Sequence, residues 1–453
     1  MDRVILERYR CPGQLIEMSL RAPLSTQQGY FRFGRDILCY GQSCSVTAPH
    51  SADRDLPDLL DEVRTDEAVL QLPFDLTELI ENLTHERYVA ASRLASPAIA
   101  PNPVWSKPYY AMRPFLPMWV RVALQRTYLR GWKRITFPAW PVDLTVERLL
   151  EKILLLDMKA QGIETLPFIW FWPDGASSAA ILTHDVETTQ GRDFCPHLMD
   201  IDESFGFRSA FQIIPEERYQ VTVGFLQEIR ARGHEINVQD LNHDGNLFRD
   251  RLQFLSRVKA INTYARDWGA KGFRSAILYR NLNWYDALEF DYDMSVPNVA
   301  HLDPQRGGCC TIFPYFVGRI LELPLTTTQD YSLFHVLRQH RIDLWKDQAK
   351  LVIERHGLLS LLTHPDYLLD HRAQTTYKEL LAFLAELRSR ENTWIALPNE
   401  VNQWWRNRSA MSLVRDGHAW RIEGPGKERA RLAYIKLDGD RLFYSREASA
   451  CVA

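Results

Sequence analysis

Four stretches of this chain carry residue types and spacings that could do hydrolytic chemistry. Thr183-His184-Asp185-Val186-Glu187 sets two carboxylates two residues apart, and in an extended segment side chains so spaced point to the same side. One can hold a cation while the other handles protons. The run Gly233-His234-Glu235-Ile236 leads into Gln239 and His243, four residues apart, which on one helical turn would project from one face. Arg274 follows Gly272-Phe273, and His364 closes the apolar run Leu358-Leu359-Ser360-Leu361-Leu362-Thr363. Hydrolysis of an unactivated amide near neutral pH needs a strong nucleophile, stabilisation of the oxyanion and a proton for the departing amine. A cation with bound water answers the first two needs and an imidazole the third, so these residue types point to a metal-assisted amide hydrolase.

Such groups must be held by a scaffold, and the sequence outlines one. Apolar runs of strand length at 179–183, 209–214, 235–238, 272–276, 320–325, 358–363 and 393–397 alternate with helical patterns, the signature of repeated β/α units in a parallel sheet or barrel. In barrels of that kind functional groups gather at the C-terminal ends of the strands, where His184, Asp185, Glu187 and His364 fall. One predicted helix carries Leu247, Phe248, Leu252, Leu255, Val258, Ile261, Ala265 and Trp268 at three- and four-residue steps. Others fit 221–232, 344–355 and 377–390. The expected organisation is α/β: an accessory α+β region over 1–100, a linker and lead-in helices over 101–175, a barrel over 176–408 and a small β-rich unit over 409–453. The first region reads as a strand at 30–40 and an acidic, helix-like stretch at 56–82.

With 453 residues, 46% hydrophobic and 25% charged, the chain has the composition of a multidomain globular protein. A net charge of -3 excludes a strongly electrostatic nucleic-acid binder, so no nucleic-acid partner is expected. No stretch approaches the roughly 18 apolar residues of a membrane span, and the first twenty residues lack the apolar core of a secretory signal. The expectation is a cytoplasmic protein with reduced thiols, its seven cysteines being scattered and odd in number. Between Lys107 and Arg134 basic residues interleave with aromatic ones without an acid, which admits a helix packed on the barrel or a peripheral contact with an anionic membrane. His184 and His234 read as packing residues. His301, His335, His340, His356 and His371 read as surface or helix positions.

From about Ala179 to Arg406 the chain resembles the polysaccharide deacetylase family, the carbohydrate esterases built on the NodB homology domain. Five motifs carry the resemblance in order: Asp185-Val186-Glu187, Gly233-His234-Glu235-Ile236 with Gln239 and His243, Gly272-Phe273-Arg274, Asp330-Tyr331, and Leu361-Leu362-Thr363-His364-Pro365. The resemblance implies a distorted barrel of about seven β/α units, one divalent metal (zinc, with manganese or cobalt as alternatives), and removal of an acetyl group from an N-acetylated carbohydrate. It implies Asp185 as base, Glu187, His243 and Gln239 as metal ligands, Arg274 as partner of the base, His364 as acid and Asp330 as its support. The chain departs from the family at Gln239, which stands where the motif has a histidine. An amide oxygen is a poorer zinc donor than imidazole and favours harder cations or weaker binding. Three readings follow: an active enzyme with altered metal preference, one that recruits Asp240 or Asp244, or a carbohydrate-binding homologue that has lost catalysis. Hydrolysis of a small non-sugar amide or imide is a further alternative.

Overall fold

The computed structural model describes residues 3–45, 52, 55–89, 120, 123–124, 126–127, 129–417 and 419–446. Residues 101–119, where the expected linker begins and the first part of the basic aromatic segment falls, lie outside them. The chain forms two compact units, one of Met1–Pro97, Leu144–Ala176 and Gln403–Ala453, the other of Ala98–Asp143 and Ser177–Asn402.

The second unit is a distorted β/α barrel. Its strands are β1 (Ser178–Val186), β2 (Ala210–Ile213), β3 (Glu235–Gln239), β4 (Gly272–Arg274), β5 (Tyr292–Asp293), β6 (Tyr315–Val317), β7 (Ile320–Glu322), β8 (Leu358–Thr363) and β9 (Thr393–Ala396). All seven expected strands form. Two more were not legible: β5, two residues long and too short to show a period, and β6, which pairs antiparallel with β7. Every other pairing in the sheet is parallel, in the order β6-β7-β5-β4-β3-β2-β1-β8. Strand β1, buried along its whole length, is the hub. One edge pairs with β8, and the other is shared by β9 on residues 178–181 and β2 on residues 183–186.

No ladder joins β7 to β8. Threonine side chains close the gap: Thr326 Oγ1 donates to Leu358 O at 2.8 Å and accepts from Ser360 N at 2.9 Å, and Thr327 Oγ1 donates to Ser360 O at 2.8 Å. These hydroxyls satisfy backbone groups that would otherwise be stranded in the interior.

Helices cover the strands. The one at Arg251–Trp268 begins at an Asp250 cap whose carboxylate accepts from Gln253 N. It buries Phe254, Val258, Ile261 and Ala265, whereas Leu252 is 82% exposed and Leu255 38%. The expected apolar stripe is therefore corrected at both leucines, because the helix starts only at Arg251 and its phase is set by Phe254. His301 also departs from expectation. It is buried, its Nε2 lies 2.9 Å from Pro138 O, and its ring stacks on Trp140 with centroids 5.8 Å apart.

In the first unit the expected strand at 30–40 is a hairpin of Gln28–Arg32 and Leu38–Gln42. The acidic stretch supplies a short 3-10 turn at Leu60–Glu62, strands Arg64–Asp66 and Val69–Leu72, and an α-helix at Leu76–Thr84 capped by Asp75. Near the C-terminus, Ser412–Asp416 pairs with Ala419–Glu423, and Leu432–Asp438 pairs with both Arg441–Arg446 and Thr165–Ile169. The buried Arg408 guanidinium ties these segments together by donating to Ile169 O at 2.6 Å, Trp170 O at 2.9 Å and Arg8 O at 2.9 Å. Among the described residues no helix is long and apolar enough to cross a membrane.

Candidate active site

Asp185 sits one residue from the end of β1, Gln239 at the end of β3 and Arg274 at the end of β4, with Arg274 and Gln239 in direct Cα register. Parallel strands, β3 and β4 adjacent and β1 separated from them by β2, thus deliver the three side chains to one end of the sheet. Gln239 Nε2 donates to Asp185 Oδ2 at 3.1 Å, and Arg274 Nη1 lies 3.8 Å from Asp185 Oδ1. Arg274 Nη2 is anchored on Thr183 Oγ1 at 3.1 Å. Burial pushes the Asp185 carboxyl above the usual range, and the Arg274 and His364 charges oppose that rise.

Glu187 lies just beyond β1 and connects the other half of the cluster. Its Oε1 is 2.8 Å from His243 Nε2 and 3.6 Å from His364 Nε2. Burial works against its charge, yet the two imidazoles hold the carboxyl well below its ordinary value. His364 follows β8, and Asp330 grips it twice: Nδ1 donates to Oδ1 at 2.6 Å and the backbone N–H to Oδ2 at 2.7 Å. Burial disfavours the imidazolium, but Asp330 and Glu187 raise its pKa well above the histidine range. All seven residues singled out in the sequence, Asp185, Glu187, Gln239, His243, Arg274, Asp330 and His364, therefore meet around Asp185 and Glu187.

The backbone carrying His243 is a loop and not the expected helical turn. Asp240 (φ 52°) and His243 (φ 55°) both adopt the left-handed conformation, which breaks any helical repeat. His243 reaches Glu187 from this loop while Gln239 remains on the strand. Asp244 is committed elsewhere, accepting from Arg257 Nη2 at 2.6 Å and Nη1 at 2.7 Å.

Three supporting residues escaped sequence reasoning. Arg218 Nη2 donates to His243 O at 3.2 Å and lies 3.1 Å from its Nδ1. Asp366 accepts from Glu187 N at 3.1 Å and from the Thr188 hydroxyl. Tyr219 OH donates to Val186 O at 2.8 Å and accepts from Ile214 N at 3.0 Å. Only Asp366 left a signal, as the residue after His364-Pro365. The other two follow β2 and had no period or motif to mark them. His184 is a packing residue, held between Thr363 Oγ1 at 2.8 Å and Asp202 Oδ2 at 3.0 Å.

Among the described residues no group of three or more His, Cys, Asp or Glu side chains is placed to hold a metal ion. Gln239 belongs to none of those types, and its side-chain oxygen would add a further donor. Gln239 Oε1 and His243 Nε2 are both buried without a hydrogen-bond partner; Nε2, although 2.8 Å from Glu187, is not aligned with it as a hydrogen bond. Two orphaned polar atoms beside a carboxylate fit a divalent cation held by Glu187, His243 and Gln239.

Fold comparison finds barrels of similar outline. A protein assigned as a polysaccharide deacetylase from Mycobacterium smegmatis is 17% identical, with 52% of this chain and 93% of that one covered and a TM-score of 0.44. One so assigned from Pseudomonas aeruginosa PAO1 is 13% identical, with 52% and 93% covered and a TM-score of 0.40. PuuE allantoinase is 11% identical, with 52% and 92% covered and a TM-score of 0.40. No sequence-family profile matches the chain, and no curated protein matches it.

Proposed function

We propose that the barrel hydrolyses an amide, removing an acetyl group from an N-acetylated carbohydrate. The observation that carries this reading is the pairing of a desolvated carboxylate with a doubly anchored imidazolium: Asp185 beside Arg274, and His364 between Asp330 and Glu187. A divalent cation held by Glu187, His243 and Gln239 would polarise the acyl carbonyl and make water a better nucleophile. Asp185 takes the proton from the attacking water, with Arg274 keeping the carboxylate ionised. His364 has its Nδ1 proton engaged by Asp330, so Nε2 carries the proton that passes to the departing nitrogen. The carbon–nitrogen bond breaks as that proton arrives, leaving acetate and a free amine.

A sugar is favoured by the surface beside the acid. Half-buried Tyr367 lies 4.9 Å from the His364 ring, 4.9 Å from that of His335 and 5.5 Å from Tyr331, centroid to centroid, and so brings to the acid aromatic groups of the type that pack against a pyranose. The full chain loaded with zinc, manganese or cobalt should release acetate from N-acetylhexosamine oligomers, and Asp185→Ala and His364→Ala should abolish it. Equal release by wild type and Asp185→Ala across a broad panel would sink the proposal. Turnover confined to small amides or imides would move it to that substrate class.

A further inference from the structure

Gln239 commits one of its two polar atoms to the base and leaves the other without a partner. It is 1% exposed, its Nε2 donates to Asp185 Oδ2 at 3.1 Å, and its Oε1 has no hydrogen-bond partner. The bond to Asp185 settles which way the amide faces, because the flipped amide would set its oxygen against a carboxylate oxygen. A buried carbonyl left without a partner gives up the hydrogen bonds it made to water, at a cost in free energy. That cost is removed if Oε1 meets a positive charge, and the pair of His243 Nε2 and Glu187 Oε1, 2.8 Å apart, offers further donors for that charge.

Arg218 bears on the tautomer of His243. A guanidinium only donates, so its approach to His243 Nδ1 at 3.1 Å favours the imidazole with its proton on Nε2. His243 would hold a cation through Nε2 only with its proton on Nδ1, and Arg218 would then keep its bond to the His243 carbonyl oxygen, 3.2 Å away.

We propose that Gln239 is an oxygen ligand that also holds the base, and that its oxygen narrows the site's preference for zinc over oxygen-favouring cations such as manganese. This rests on the cation invoked for the hydrolase. The site then presents two oxygens and one nitrogen. Imidazole suits zinc, while carbonyl and carboxylate oxygens suit manganese and magnesium.

The test uses chelator-stripped full-length protein titrated with zinc alone and manganese alone, read by calorimetry and equilibrium dialysis without substrate. Gln239→His should widen the ratio of zinc to manganese affinity by at least about tenfold, the lower end of what even a metal ligand's outer partners contribute. Gln239→Leu, which keeps the volume and removes the oxygen, should lower the affinity for both ions while its circular dichroism stays that of the wild type. An unchanged ratio in Gln239→His, wild-type affinity in Gln239→Leu, or no ion bound by the wild type would each overturn the proposal. The hydrolase reading fails separately: ions bound as expected with no acetate released sinks that reading and leaves this one standing.

Discussion

Both oxygens of Asp330 reach one residue, His364, one its ring Nδ1 at 2.6 Å and one its backbone N–H at 2.7 Å, while Oδ1 also accepts from Tyr331 N at 2.7 Å. The carboxylate therefore sets the height, rotation and tautomer of the imidazole together. Asp330→Asn should keep the fold and lower kcat by about 100-fold or more, the scale of a general acid's contribution. The alkaline limb of the rate profile should also move to lower pH, since Asp330 helps raise His364 above its ordinary range. A profile displaced only in amplitude would show that Asp330 does not act through this proton.

Gly191 is in contact with the support of Glu187. A Cβ there would sit 2.4 Å from Asp366 Oδ2, and Asp366 is the acceptor for Glu187 N and the Thr188 hydroxyl. Gly191→Ala should destabilise by about 1–3 kcal/mol through overpacking and weaken cation binding as Glu187 shifts. Unchanged zinc affinity in a variant with a lowered Tm would mean that Asp366 carries stability alone.

The barrel seam depends on hydroxyls. Thr326→Val preserves shape but strands Leu358 O and Ser360 N, so a loss of about 2 kcal/mol is expected in urea unfolding, the scale of buried polar groups left unpaired. Wild-type stability in this variant would show that the seam has another closure.

Glu235 gives the fold a pH dependence away from the reacting groups. Burial raises its carboxyl from 4.5 to about 7, although Asn399 N at 3.0 Å and Asn237 Nδ2 at 2.8 Å favour the ionised form. A folded pKa above the unfolded one stabilises the protonated form. This contribution is thus complete below pH 4.5 and lost as pH rises through about 7. Glu235→Gln, neutral at every pH, should flatten the fall in urea midpoint across that window. An identical slope in wild type and variant would remove Glu235 as the source.

What the sequence alone determined was the set of chemical groups and the strands that carry them. Apolar runs with polar residues at their ends mark β1, β3, β4 and β8 directly, because a parallel strand buried on both faces and ending in polar groups leaves a local pattern. Only the tertiary structure decided how those groups are partnered. Gln239 in the sequence is a departure from a motif, whereas in the fold it is the hydrogen-bond donor to Asp185, a contact made across 54 residues by two strands that are not neighbours in the sheet. His243 reaches Glu187 through left-handed backbone that side-chain spacing does not encode. Arg218 and Tyr219 come from a loop without periodicity. Local patterns report burial, which is a property of single segments, while hydrogen-bond partnership belongs to pairs of segments and exists only once the barrel has brought them together.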